Sequence, residues 1–234
     1  MSKRIEELDF RSTRMGDISL RRRIDPVLQR EVHEVLLGEE YLMSSSFTVA
    51  EIELARLGLG AVQGEGLAVV VGGLGLGYTA RAALEDDRVG RLWVVEALDA
   101  VIDWHVTGLL PLSIELTGDP RCQLVLGDFF ALVSAQEPFA DEPLLDAILL
   151  DIDHTPEHVL HPSHAAFYSE EGLLQVRHRL RPGGVFALWS DAPPSGEFLD
   201  RLRAVFASAE GHLVTFTNPL IDGESSNSVY VATT

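Results

Sequence analysis

LAVVVGGLGLGYTARAAL, residues 67–84, is the stretch whose reading decides the fold. Its opening run, LAVVV, is apolar at every position and rich in a β-branched residue. Such a run, without polar alternation, predicts a strand buried on both faces. Gly72, Gly73, Gly75 and Gly77 follow, and a helical pattern starts at about Tyr78. Glycines at such a junction allow a tight turn and close approach of the backbone to a ligand. The first turn of the helix adds free N–H groups.

The same theme repeats downstream. RLWVVE (91–96), QLVLGD (123–128), LDAILLD (145–151) and GVFALWSD (184–191) each read as a buried strand that ends in an acid. TARAALED, ALDAVIDWHV, FFALVSAQ, YSEEGLLQVRHRL and EFLDRLRAVFASA read as the helices between and after them, and HLVTFT and NSVYVAT as the last strands. Alternating strand and helix with continuous apolar strands predicts an α/β fold, a Rossmann-like, doubly wound, mostly parallel sheet of seven strands covered on both faces. Upstream the character changes. Gly16-Asp17 between DFRSTRM and ISLRRRI reads as a hairpin, and REVHEVLL meets Gly38 before EEYLM. Thr48-x-x-Glu51 then opens FTVAEIELARLGL as a capping box. The expected division is a β-hairpin appendage with a lead-in helix over 1–60 and a nucleoside-binding, Rossmann-like catalytic domain over 61–234.

Composition narrows the function. The chain has 234 residues, 46% of them hydrophobic, and carries 18 basic against 36 acidic residues, a net charge of −18. That balance repels a phosphate backbone, and Arg21-Arg22-Arg23 is too short a basic run to reverse it, so no nucleic-acid partner is expected. Cys122 is the single cysteine, which rules out an internal disulfide and a cysteine-based zinc site. The N-terminus lacks the apolar core of a signal peptide, and the apolar runs are far too short to span a bilayer. The expectation is a cytoplasmic protein with no membrane partner.

In a sheet of this type, ligands bind outside the carboxyl ends of the strands. The glycine loop is Gly73-x-Gly75-x-Gly77, with no lysine after it, so it is not a phosphate-gripping P-loop. Glu96, about twenty residues further on, is placed to accept the hydroxyls of a ribose. Asp128 stands where it could meet an adenine edge or simply cap a helix, and Phe129 where it could wall an apolar pocket. Tyr78 fits either the pocket or helix packing. Together these residues favour a nucleoside site.

From Gly66 to the end, the chain resembles the class I S-adenosylmethionine-dependent transferase fold, and within it the spermidine synthase-like (polyamine aminopropyltransferase) family. VVVGGLGLGYTARAAL resembles that family's glycine motif and WVVEALDAVID its ribose-binding segment. LDAILLDIDHTP followed by FYSEEGLLQVRHRLRPGGVFAL resembles its fourth- and fifth-strand region. The N-terminal β appendage fits as well. The resemblance implies an S-adenosyl donor, an amine acceptor and an acid at the end of the fourth strand, which here is Asp151. That acid orients a protonated amine and takes its proton. Three departures stand out. The donor-gripping Asp of the glycine motif falls on Gly75. The second acid is shifted, because Ile152-Asp153-His154-Thr155-Pro156 follows Asp151. The helix that supplies a Gln and a Tyr reads LMSSSFTVAEIELA. On these grounds the expected reaction is methyl transfer from S-adenosyl-L-methionine to a small, cationic acceptor, with Asp151, Asp153 and His154 as catalytic candidates. Aminopropyl transfer from decarboxylated S-adenosylmethionine to a polyamine is the alternative, and a non-catalytic nucleoside-binding regulator is a third reading.

His154, His158, His161 and His164 crowd into DIDHTPEHVLHPSHAAFY beside Asp151, Asp153 and Glu157. Imidazoles and carboxylates can bind a metal. Pro156 and Pro162 interrupt the segment, so its spacing enforces no convergence, and no metal is expected. A homodimer is left open, since the hairpin could pair with a second copy.

Overall fold

The computed structural model describes residues 5–135 and 142–234. The polar N-terminal segment forms an antiparallel sheet in the order β1 (Ile5–Thr13), β2 (Gly16–Asp25), β3 (Arg30–Leu37), β4 (Glu40–Ser44). Thr13 pairs with Gly16 across the expected hairpin turn. Ile18, Leu20 and Val35 leave this sheet for the main core and are fully buried. The appendage is thus packed onto the rest of the chain.

Helix α1 (Val49–Gly60) follows. Strands and helices then alternate: β5 (Leu67–Gly72), α2 (Tyr78–Leu84), β6 (Val89–Glu96), α3 (Asp99–Val106), α4 (Ser113–Gly118), β7 (Cys122–Leu126), α5 (Phe129–Ser134), β8 (Leu145–Leu150), α6 (Glu170–His178), β9 (Leu180–Ser190), α7 (Gly196–Val205), β10 (Ser208–Asn218) and β11 (Gly223–Thr233). A short 3-10 turn, Pro162–Tyr168, precedes α6. Gln136, the last residue of the expected FFALVSAQ helix, lies outside the described residues.

The seven-stranded sheet has the order β10-β11-β9-β8-β5-β6-β7. The β5–β6, β6–β7, β5–β8 and β8–β9 pairs are parallel, while β11 runs antiparallel to both its neighbours. Alternation within each strand divides the core in two. Val69, Val71, Ala147, Leu149, Val185 and Ala187 face α1, α2, α3 and α4. Ala68, Val70, Ile148, Leu150, Phe186 and Leu188 face α5, α6 and α7. Both faces are therefore dry, which is why these strands read as unbroken apolar runs. Burying each such Val, Leu, Ile or Phe contributes about 1.5–3 kcal/mol.

Two local expectations are overturned. The helix expected over EFLDRLRAVFASA ends at Val205, because Ser208 and Ala209 pair with Thr233 and Ala232 as the start of β10. Thr48 stands at the start of α1 but makes no side-chain capping bond, so the capping box does not form. The physical reason lies far off in sequence: Glu51 is held beside Asp151 at the end of β8. No helix among the described residues is long and apolar enough to cross a membrane.

Candidate functional site

After β5 the chain crosses to β6 and β7 on one side and returns to β8 on the other. This reversal opens a crevice at the carboxyl ends of β5 and β8, the place where such sheets bind ligands. The glycine loop and Asp151 meet there. The Asp151 N–H donates to the Gly72 carbonyl at 2.8 Å. Gly73 has a φ of +95°, and a Cβ on it would lie 2.0 Å from the Asp151 carbonyl oxygen. Only glycine permits that contact.

The loop is also tied to the exit of β6. Glu96 accepts the Leu74 N–H at 3.1 Å and the Leu98 N–H at 2.9 Å. Burial pushes its carboxyl above the usual range, while these N–H groups and those of Gly75 and Ala97 pull it back. Gly77 stands in the left-handed region at the start of α2. Tyr78, the next residue, points its hydroxyl at Ser45 and lies near Glu51 and Arg30, and burial raises its phenol.

Asp128 and Phe129 lie one strand further out. Asp128 is exposed and caps α5, its Oδ1 accepting the N–H groups of Phe130 at 3.0 Å and Ala131 at 3.2 Å. Phe129 is buried beneath Gly72, where an added Cβ would lie 2.7 Å from its ring. It supports the loop from below.

The chemistry of the crevice gathers at Asp151. Its Oδ2 accepts the Thr79 hydroxyl at 2.8 Å. Burial pushes its carboxyl up to about 6, against the pull of Thr79. Glu51 is its neighbour from α1. Burial, and then the like charge of Asp151, push Glu51 up to about 8. Two half-buried carboxyl groups held side by side cannot both ionise cheaply, so near neutral pH the pair retains a proton. Such a pair attracts a cation and can exchange a proton with it.

From sequence Glu51 was read only as a capping residue of α1, and Thr79 was not singled out at all. A signal for Glu51 existed. It stands seven residues before Gly58, on the same helix face. Gly58 lies directly on the sheet, where a Cβ would meet Leu149 at 2.6 Å and Ala187 at 3.0 Å. A glutamate on the buried stripe of a helix asks for a reason.

The residues after Asp151 diverge. Asp153 is turned inward and buried. It accepts the Leu160 N–H at 2.7 Å, His164 Nδ1 at 2.9 Å and the Tyr168 hydroxyl at 2.8 Å. It organises the loop it begins. His154 turns toward the appendage, with Nε2 3.1 Å from Glu40 Oε1 on β4. His154 and His158 lie ring to ring at 5.2 Å, and His161 and His164 at 5.9 Å. His164 stacks on Phe130 at 4.0 Å. No group of three or more His, Cys, Asp or Glu side chains among the described residues is arranged to hold a metal ion.

The appendage also reaches the loop. A Cβ on Gly75 would lie 2.9 Å from Met43 Sδ of β4. The place where the resemblance puts a donor-gripping acid is thus covered by a thioether.

No protein-family model matches the chain, and no curated protein matches it. Solved structures do. A spermidine synthase in complex with the transition-state analogue AdoDATO matches with a TM-score of 0.74 and 19% identity, over 97% of this chain and 73% of the other. The spermidine synthase from Thermotoga maritima matches with a TM-score of 0.73 and 18% identity, over 97% of this chain and 72% of the other. Likeness at such identity concerns architecture. From the appendage to the last hairpin, the chain has the spermidine synthase fold.

Proposed function

We propose that the chain transfers an alkyl group from an S-adenosyl donor to a small amine, and that the group is aminopropyl. The fold likeness to spermidine synthases favours this over the methyl transfer that Gly75 suggested from sequence. The observation that carries the reading is the Glu51–Asp151 pair at the crevice, with Thr79 fixing one of its oxygens. On this reading decarboxylated S-adenosylmethionine is the co-substrate. Glu96 accepts its ribose hydroxyls, the loop from Gly73 to Gly77 lies against it, and its base rests near Asp128. Phe129 and Tyr78 support that pocket from beneath and from the side of β4.

An aliphatic amine has a pKa near 10.4 and arrives protonated. An anionic carboxyl pair draws the ammonium in, and Asp151 takes its proton. The freed nitrogen lone pair attacks the aminopropyl carbon. A C–N bond forms as the C–S bond breaks, and the sulfur leaves as a neutral thioether, 5′-methylthioadenosine. Burial keeps Asp151 basic, and Glu51, pushed up by burial and by the charge of Asp151, holds a proton beside it. His154 holds the mouth of the site through Glu40, and Asp153 shapes the loop behind it. A cytoplasmic setting belongs to the same reading.

The test supplies the protein with a short linear diamine and either donor. Decarboxylated S-adenosylmethionine should yield 5′-methylthioadenosine, and Asp151→Asn should lower kcat by about 10²–10⁴ with little change in donor KM. Product formation only from S-adenosylmethionine, as S-adenosylhomocysteine, would restore methyl transfer. Donor binding without turnover would favour a non-catalytic nucleoside-binding regulator. Unchanged kcat in Asp151→Asn would remove Asp151 from its role.

A further inference from the structure

His105 lies on α3, behind the glycine loop, with 1% of its surface exposed. Its Nε2 is 2.9 Å from the Gly75 carbonyl oxygen. A carbonyl can only accept, so Nε2 carries the proton. Nδ1 is also buried and has no hydrogen-bond partner among the described residues. It is therefore the bare nitrogen, because a second N–H there would be buried without an acceptor. Burial accordingly holds the imidazole below its usual range, opposed by the bond to Gly75.

The ring is fitted to the loop. A Cβ on Gly77 would lie 3.0 Å from His105 Cε1. Gly75 has a φ of +49°, and the bond from His105 fixes the direction of its carbonyl. From the other side Glu96 takes the Leu74 N–H. One N–H and one carbonyl of the loop are thus pinned by the last residue of β6 and by the helix that follows it. The helix that carries His105 is itself anchored: the Trp104 indole N–H donates to Asp9 at 2.6 Å, and Arg11 bonds Asp103 at 2.7 Å. The loop is ordered before any ligand arrives, and an ordered loop spares binding the cost of fixing it.

We propose that His105 is a positioning residue of the donor site, which as its Nε2–H tautomer pins the Gly75 carbonyl and holds the loop in the shape that receives the nucleoside. The proposal rests on the donor reading above. It touches no reacting atom. Its signature is a change in donor affinity without a change in turnover.

The experiment compares the full chain with His105→Phe, which removes the donor, and His105→Gln, whose amide nitrogen can stand in for Nε2. His105→Leu serves where the larger ring overfills the site. Amide exchange of residues 74–77 is measured without ligand, and 5′-methylthioadenosine is titrated as the nucleoside probe. Loss of one neutral hydrogen bond predicts loop exchange and probe Kd raised about 5–10-fold in His105→Phe. Donor KM should rise in step with the probe Kd while kcat stays within about twofold of the unaltered chain, and His105→Gln should recover most of the loss. Unchanged loop exchange in His105→Phe, or a Gln variant no better than Phe, would overturn the proposal. Failure of the unaltered chain to bind the probe would sink the donor reading alone, and the exchange comparison would still decide whether His105 grips the loop.

Discussion

Replacing Glu51 by Gln should stabilise the ligand-free protein, and only above neutral pH. In the unfolded chain Glu51 loses its proton near 4.5, and in the fold burial and Asp151 delay that to about 8. Between those limits the native state binds a proton that the unfolded state does not. Stability therefore falls as pH rises through that window. Contributions present below about pH 4.5 are lost by about pH 8–9. At about 1.4 kcal/mol for each tenfold change in proton affinity, the full rise is worth roughly 5 kcal/mol. Gln avoids the buried charge but leaves a buried amide with unmet hydrogen bonds, which offsets about half. A net gain of about 2 kcal/mol at pH 9 corresponds to a Tm increase of roughly 4–8 °C for a chain of this size. At pH 4.5 both side chains are neutral and only the cost of the amide, about 2–3 kcal/mol, remains, so the variant should melt roughly 4–12 °C below the unaltered protein. Paired thermal melts across pH 4.5–9 read the difference directly and cancel every other titrating group. An offset independent of pH would show that the fold does not shift Glu51, and an offset that turns more unfavourable toward pH 9 would show a cationic partner; either would remove the carboxyl pair.

Two further substitutions separate the loop's geometry from its chemistry. Gly73→Ala should destabilise by about 3 kcal/mol or more, because its Cβ would collide with the Asp151 carbonyl at a left-handed φ; thermal melts should show a clear loss, while Gly60→Ala, with nothing within 4 Å, should be neutral or slightly stabilising. Asp153→Asn should cost about 2 kcal/mol by setting an N–H against one of the donors Leu160, His164 or Tyr168. Hydrogen exchange should then quicken across residues 154–169, with kcat affected far less than in Asp151→Asn; an equal loss of kcat at normal stability would make Asp153 part of the chemistry.

The central strands were legible because both of their faces are dry. Val69 and Val70 point to opposite cores, and both are fully buried. A run without polar alternation is the direct imprint of that arrangement. The boundaries were less legible. β9 begins at Leu180, before the apolar run proper, because Leu180 pairs with Leu145 at the start of β8. That pairing joins positions 35 residues apart, which no local pattern reports. Thr48 and Glu51 misled for a similar reason: the spacing of a capping box is local, but Glu51 answers to Asp151, a hundred positions later. Asp153 sits in the same difficulty, since its donors come from a loop that folds back on it. Local signals show where a side chain starts, and long-range contacts decide where it points.

Gly75 and Met43 bear on what kind of donor the site can take. The resemblance leads one to expect an acid at Gly75, reaching for the amino end of the donor. Here the backbone at Gly75 is left-handed, and Met43 Sδ stands where a side chain would begin. Any acid at this position would have to displace the thioether. The missing carboxylate and the methionine of β4 are therefore two sides of one packing solution, which makes this part of the crevice apolar. On the proposed reading, an ammonium on the donor or the acceptor finds an anionic target in the Glu51–Asp151 pair, with its proton supply and its Thr79 anchor. Seen this way, the absent glycine-motif acid does not argue for a methyl donor. On the proposed reading, the negative charge that draws an amine lies at the junction of α1 and β8, where the same two side chains serve binding and proton transfer.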